Sequence, residues 1–228
     1  LGFLPEPFAF SVRAFKSVVA EIRAGTRWDL VHDVQCLGYG LLGIRALGIP
    51  VVTTIHHPLT VDRRASFARD TNFQEAIGSM QFYPIGMQSF VARRVDRVLT
   101  SSESSAIRIA EDFRVQPGRV RNVWNGLDTD LYSPDPNVVR DSHEILCVGR
   151  ANDPNKGVRT LIDALVRLPE SIHLTLVDDD HPSNPVFSWA RRRGVSERLN
   201  VTGRVPTQEL VRLYRRAALV VVPSRYEG

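Results

Sequence analysis

Cysteine is scarce in this chain: Cys36 and Cys147 are the two among 228 residues, and each stands inside an apolar segment far from the other. That spacing excludes a disulfide framework and a cysteine-built zinc site, and leaves both thiols as small hydrophobes. An uninterrupted apolar stretch of about 18 residues is also missing. The start lacks a basic segment followed by an apolar signal core, so neither a spanning helix nor an export signal is expected. Charge of one sign is not in large excess: 29 Lys and Arg face 25 Asp and Glu, for a net charge of +4. Such a surplus attracts anions weakly. The runs Arg191-Arg192-Arg193 and Arg215-Arg216 have no aromatic residues between them to act as stacking platforms. They read as solvated helix faces, and no nucleic-acid partner is expected. No Gly-x-Gly-x-x-Gly turn follows any predicted strand, which argues against a dinucleotide-dependent dehydrogenase.

What is present suffices for real cores, since 43% of the residues are hydrophobic. Phe8, Val12, Phe15, Val19 and Ile22 recur at helical spacing and predict an amphipathic opening helix. A buried strand is expected at Leu30-Val31-His32, a helix from Cys36 to Leu47 closed by Gly48, and a strand over the β-branched run Val51 to Ile55. Helices near Phe82 to Val95 and Ser102 to Phe113 then alternate with strands at Arg97 to Thr100 and Val120 to Trp124. After a linker near residues 132 to 142 the alternation restarts. Strands are expected at Ile145 to Val148, His173 to Val177, Leu199 to Thr202 and Leu219 to Val222, the last the strongest. Helices fall at Val158 to Leu168, Val186 to Arg193 and Gln208 to Ala217. Such order demands parallel pairing. The expected fold is α/β: two Rossmann-like, doubly wound lobes facing a cleft, one over residues 1–135 and one over 136–228. Both are expected to be incomplete, the first without its opening strand and the second without its closing elements.

Ligands of such folds bind beyond the carboxyl ends of the strands. Gly149-Arg150 ends one strand and Lys156-Gly157 precedes the next helix, so two cations project from one turn. Helix N-terminal amides and two positive side chains can neutralise a diphosphate without a metal; ordinary surface charges beside a glycine-relieved turn fit the same residues. Trp124-Asn125-Gly126-Leu127-Asp128 reads as a turn needing a positive φ, with Asp128 capping a following short helix. His56-His57-Pro58 puts an imidazole at a strand end, but consecutive strand residues face opposite ways and chelate one metal poorly. His32 ends the preceding strand. The acidic run Asp178-Asp179-Asp180 beside His181 allows a magnesium or manganese site and equally a solvated loop. Glu227-Gly228 follows the Pro223-Ser224 turn at the end of the strongest strand.

In combination these segments resemble the retaining glycosyltransferases of family 4, which have the GT-B fold. The resemblance is carried by Gly149-Arg150 with Lys156-Gly157, by Asn125-Gly126-Leu127-Asp128 before Leu131-Tyr132-Ser133-Pro134, and by Thr202-Gly203-Arg204-Val205. Val222-Pro223-Ser224 with Glu227-Gly228, Asp29-Leu30-Val31-His32 and Pro50 to His56 complete it. It implies a cytoplasmic, metal-independent enzyme without a cofactor, compatible with peripheral association at the inner membrane surface. The implied donor is a nucleoside-diphosphate sugar, and the acceptor a saccharide, a lipid-linked or a small molecule. Gly149, Arg150 and Lys156 would hold the diphosphate, Gly203 and Arg204 would lie near the base, and Glu227 would contact sugar hydroxyls. His56 would reach the donor sugar from the other lobe. Two alternatives share the fold: a sugar-nucleotide epimerase, and a binding protein that transfers nothing. Asp178-Asp179-Asp180 departs from the Gly-x-Gly turn usual in the family, and a second glutamate of the donor motif would fall beyond Gly228.

Overall fold

The structure, a computed structural model, describes residues 6–56, 60 and 84–225. His57, Pro58, Glu227 and Gly228, and the start of the helix expected from Phe82, lie outside the described residues. The chain divides between Asn125 and Gly126 into two compact units.

In the first unit, helix α1 (Glu6–Arg23) is followed by β1 (Val31–Val34), α2 (Gly40–Ala46), β2 (Val51–Thr54), α3 (Ile85–Ala92), β3 (Arg97–Thr100), α4 (Glu103–Phe113) and β4 (Val120–Asn122). The strands form one parallel sheet in the order β1-β2-β3-β4. The central strand β2 carries the β-branched run, and Val51 and Thr53 are fully buried, as β-branched residues on a covered sheet should be. Ile44, Ile55, Val98, Ile109 and Phe113 fill the core around them. Ser102 starts α4 by accepting the Ser105 N–H at 3.1 Å, and Arg114 ends it in the left-handed region. Strand β1 is not buried as expected: it lies at the edge of the described sheet, with Leu30 and His32 exposed.

The second unit contains β5 (Asp141–Val148), α5 (Val158–Leu165), β6 (His173–Val177), α6 (Pro185–Arg193), β7 (Leu199–Val201), α7 (Thr207–Arg216) and β8 (Ala217–Val220). Its parallel sheet runs β7-β6-β5-β8. Apolar side chains are buried on both faces of β5: Ile145 and Cys147 among Ile162, Leu165 and Leu176, and Leu146 with Leu213 and Ala217. The last strand begins two residues earlier than its apolar pattern suggests, and Leu219 and Val220 are exposed along this edge of the described sheet. Residues 126–135, expected with the first lobe, belong to the second unit. There Arg215 donates to the carbonyls of Ser133 and Leu131, and the Tyr132 and Tyr214 rings meet edge to face.

Neither Asn125 nor Gly126 takes the positive φ expected of a tight turn; the segment runs on without turning. Asp128 accepts N–H groups of Asp130 and Leu131 and so caps a turn rather than a helix. Burial pushes the Cys36 and Cys147 thiols up to about 11, so both stay protonated at neutral pH. Among the described residues no helix is long and apolar enough to cross a membrane.

A buried carboxylate fastens the end of the second sheet away from the strand carboxyl termini. Glu144 is fully buried, accepts the Thr175 hydroxyl at 2.7 Å and takes a two-pronged contact from Arg216 at 2.7 and 2.6 Å. The Arg216 guanidinium holds the Glu144 carboxyl below its ordinary range, against the opposing effect of burial. A carboxylate whose pKa is depressed by folding stabilises the fold above its unfolded value, and that stabilisation is lost as pH falls through the folded value. Arg216→Ala strands the charge and should cost about 3 kcal/mol at pH 7, the low end for a broken buried pair because Arg216 is half exposed. Urea denaturation should show this penalty shrinking toward pH 4, and a penalty independent of pH would contradict the assignment.

Candidate functional site

The turn between β5 and α5 is built by hydrogen bonds that local sequence only partly specifies. Gly149 N–H reaches the Val177 carbonyl at 3.3 Å, continuing the β5–β6 ladder past its last strand residue. Ala151 N–H then donates to the Asp178 carboxylate at 2.7 Å, and the Asn184 side-chain amide donates to the same oxygen at 2.9 Å. Asn184 in turn caps α6 by accepting the Val186 N–H, so one buried carboxylate joins the loops after β5 and β6 to a helix start. Asp178 therefore serves as a tie. Asp179 accepts the His181 N–H, and among the described residues no group of three or more His, Cys, Asp or Glu is placed to hold a metal ion.

Beyond Ala151 the chain tightens. Asp153 accepts the Asn155 N–H and its main-chain carbonyl accepts the Lys156 N–H, closing a single 3₁₀ turn over Pro154–Lys156. Gly157 follows at φ +65°, and α5 starts directly after it. The Lys156 side chain lies over Gly149, its Cβ about 3.8 Å from where a Gly149 side chain would begin. Arg150 projects from the same turn with 70% of its side chain exposed, its guanidinium 3.4 Å from Asp153. Gly149, Arg150, Lys156 and the first amides of α5 thus share one strand-to-helix connection.

The loop after β8 crosses this turn at backbone distance. A Cβ on Gly157 would stand 2.1 Å from the Pro223 carbonyl oxygen, and Arg225 N–H donates to the Asn155 carbonyl at 2.8 Å. The chain leading toward Glu227 is therefore pinned against the Arg150–Gly157 turn. Two strands away, at the end of β7, Gly203 adopts φ +72° with the Asp180 carboxyl group packed against it, and Arg204 beside it is exposed. At about 4.8 Å per strand, the two turns are roughly 10 Å apart along one edge of the sheet. A cleft of about 620 Å³ opens behind the first turn, lined by Asp153, Pro154, Gly157, Arg159, Trp189 and Arg225; Arg150 and Lys156 do not line it.

In the first unit, His56 stands exposed just past the end of β2. Its N–H donates to the Gln35 side-chain oxygen at 2.9 Å, and its carbonyl accepts the Ser101 hydroxyl at 3.3 Å. His32 shares a 2.7 Å hydrogen bond with Thr54 on the neighbouring strand. The helix expected from Cys36 begins only at Gly40, because the Asp33 carboxylate captures the Leu37 N–H at 3.2 Å and the Thr53 hydroxyl at 2.7 Å. Gln35 and Leu37 are left at φ +60° and +52°, conformations that cost non-glycine residues about 1 kcal/mol or more each. Burial pushes the Asp33 carboxyl above its ordinary value, with the hydrogen bonds from Thr53 and Leu37 working against it. Sequence reading passed over Asp33 and Gln35 and offered Asp178 as a metal ligand or part of a solvated loop, not as a tie, since the partners of all three lie on other segments.

Two parallel α/β units, the second with a cationic strand-to-helix turn and glycines beyond two of its strand ends, define a Rossmann-like protein. Residues 1–131 match the model of Glycosyltransferase Family 4, and residues 142–228 match that of Glycosyl transferases group 1. The chain belongs to the family 4 glycosyltransferases. It is 37% identical over 231 residues to the MMP alpha-(1->4)-mannosyltransferase of Mycolicibacterium hassiacum, spanning 100% of this chain and 54% of that protein. It is 28% identical over 251 residues to the D-inositol 3-phosphate glycosyltransferase of Corynebacterium efficiens, over 100% of this chain and 57% of that protein. The chain spans about half the length of the curated relatives it matches. Among solved structures, sucrose-phosphate synthase from Thermosynechococcus elongatus shares the fold at a TM-score of 0.69 and 20% identity, over 95% of this chain and 54% of that chain. HepE of Anabaena, solved in complex with UDP, does so at 0.63 and 19%, over 85% of this chain and 54% of that chain. The fold is α/β of the GT-B class, as the sequence implied.

The Gly157–Pro223 approach yields a direct test. Gly157→Ala adds both a strained φ and a clash with backbone, and should destabilise the second unit by roughly 3 kcal/mol. Gly194, at φ +69° with nothing within 4 Å of its would-be side chain, isolates the strain, and Gly194→Ala should cost about 1 kcal/mol. Equal urea midpoints for the two variants would show that the loop after β8 does not press on the turn.

Proposed function

We propose that the protein moves a sugar from a nucleoside-diphosphate sugar to an acceptor hydroxyl, with retention of anomeric configuration and without a metal ion. The observation that carries this reading is the shared turn: Arg150 and Lys156 issue from one connection whose backbone also offers the first amides of α5. Departure of the nucleotide leaves a diphosphate with developing negative charge. Two cations and a helix start aimed at that charge stabilise the transition state more than the ground state, which is what accelerates a reaction. Gly157 lets the loop after β8 settle against this turn, and Gly149 lies under the Lys156 side chain, so the two glycines shape the connection from which the cations issue. Gly203 and Arg204, two strands along the same sheet edge, take the base; the roughly 10 Å between the turns suits a diphosphate and its nucleoside lying along that edge. Glu227, two residues past Arg225 in sequence, contacts hydroxyls of the donor sugar. His56, held at the end of β2, contacts the donor sugar. Mannose is the first donor sugar to test, because the relative at 37% identity is a mannosyltransferase. The acceptor is a saccharide, a lipid-linked saccharide or a small hydroxylated metabolite.

Two measurements on the full-length protein check this. Lys156→Ala should weaken calorimetrically measured binding of a nucleoside diphosphate about 10- to 100-fold, the value of one charge-assisted hydrogen bond, with little change in thermal midpoint. Unchanged affinity would remove Lys156 from the site. Transfer from a panel of GDP- and UDP-hexoses should persist in EDTA, whereas abolition by chelation and rescue by manganese would require a metal-dependent mechanism.

A further inference from the structure

A long side chain in the left-handed region is uncommon, and Gln35 is one. Its main-chain N–H donates to the Thr54 carbonyl at 2.9 Å, continuing the β1–β2 ladder one residue past the paired strands. Turning left-handed there carries the side chain along β2, where its oxygen accepts the His56 N–H at 2.9 Å. The partner is an N–H donor, so the amide must present its oxygen and its orientation is fixed. On the opposite side, Ile55 N–H meets the Leu99 carbonyl, and the Ser101 hydroxyl takes the His56 carbonyl at 3.3 Å. A side chain from each flanking strand thus replaces the missing ladder partners of His56. The Gln35 conformation is itself imposed by Asp33, whose buried carboxylate holds Leu37 N–H and Thr53 and bends the loop.

We infer that Gln35 is a positioning residue for the transfer reaction: held left-handed by the Asp33 loop, it clamps the His56 backbone and so aims the imidazole beyond the end of β2. The inference rests on His56 facing the donor in the reaction proposed above. Backbone strain persists where surrounding structure over-determines it, and such sites cluster where geometry is functional. A clamp on the main chain leaves the imidazole ring free to meet a ligand while fixing where it starts. Its loss costs alignment rather than donor affinity, and should appear in kcat more than in KM.

The test uses two Gln35 variants in the full-length protein. Gln35→Met keeps the length and removes the acceptor; Gln35→Glu keeps an acceptor oxygen. Gln35→Met should speed amide hydrogen exchange of His56 and lower kcat, each about tenfold, with donor KM changed less than about threefold. Gln35→Glu should retain slow exchange and most of the turnover. Combined with His56→Ala, Gln35→Met should lower kcat no further, because its effect passes through the imidazole. Unchanged His56 exchange in Gln35→Met, or an equal loss of kcat with and without His56, overturns the inference. Full activity of His56→Ala while His56 exchange still responds to Gln35 would place the failure in the role given to His56, and would overturn the catalytic half of the inference with it.

Discussion

The second unit depends on one close approach, that of the Pro223 carbonyl to Gly157. No side chain fits between them, and the φ of +65° at Gly157 is one that glycine adopts without penalty. This single contact brings the loop after β8 across the turn after β5, two connections that lie some 66 residues apart in sequence but on adjacent parallel strands. The cations at 150 and 156 and the chain leading to Glu227 are neighbours because of it. In a doubly wound sheet the carboxyl ends of adjacent strands always share an edge; the glycine decides how closely their loops can settle there.

Asp178 plays the complementary part on the other side of β5. Strand β6 runs into three consecutive aspartates. The first accepts the Ala151 N–H and the Asn184 amide, so it supplies with hydrogen bonds the closeness that a glycine turn supplies by lacking a side chain. The third packs its carboxyl group on Gly203. What reads in sequence as an acidic patch is in part a framework that fixes the loops after β5, β6 and β7 against one another.

Much of the fold was legible because parallel α/β units advertise themselves. The β-branched run from Val51, the helical spacing in α1 and α5, and the strands Arg97–Thr100 and His173–Val177 all follow from local pattern. The misreadings arise where local pattern does not decide the backbone. A helix was expected from Cys36, but Asp33 captures Leu37 N–H with help from Thr53, 20 residues away, and delays it to Gly40. Asn125-Gly126 carries the composition of a tight turn and runs on without a positive φ, since composition permits a left-handed residue without requiring one. At the candidate site, Gly149, Arg150, Lys156 and Gly157 could be singled out because strand end and helix start are close in sequence. Asp178 and Pro223 were visible in the sequence but their roles were not, and Gln35 was passed over, because each acts on a partner carried by a different segment.

The central claim is that the turn from Gly149 to Gly157 receives a diphosphate. Its most direct measurement is a comparison of backbone amide chemical shifts in the protein titrated with a nucleoside diphosphate and with the corresponding nucleoside monophosphate. The account predicts that the diphosphate moves the amides of Gly149, Arg150, Lys156, Gly157 and the first turn of α5 well beyond the changes caused by the monophosphate. Shifts of equal size for both ligands, or changes centred away from this turn, would contradict it.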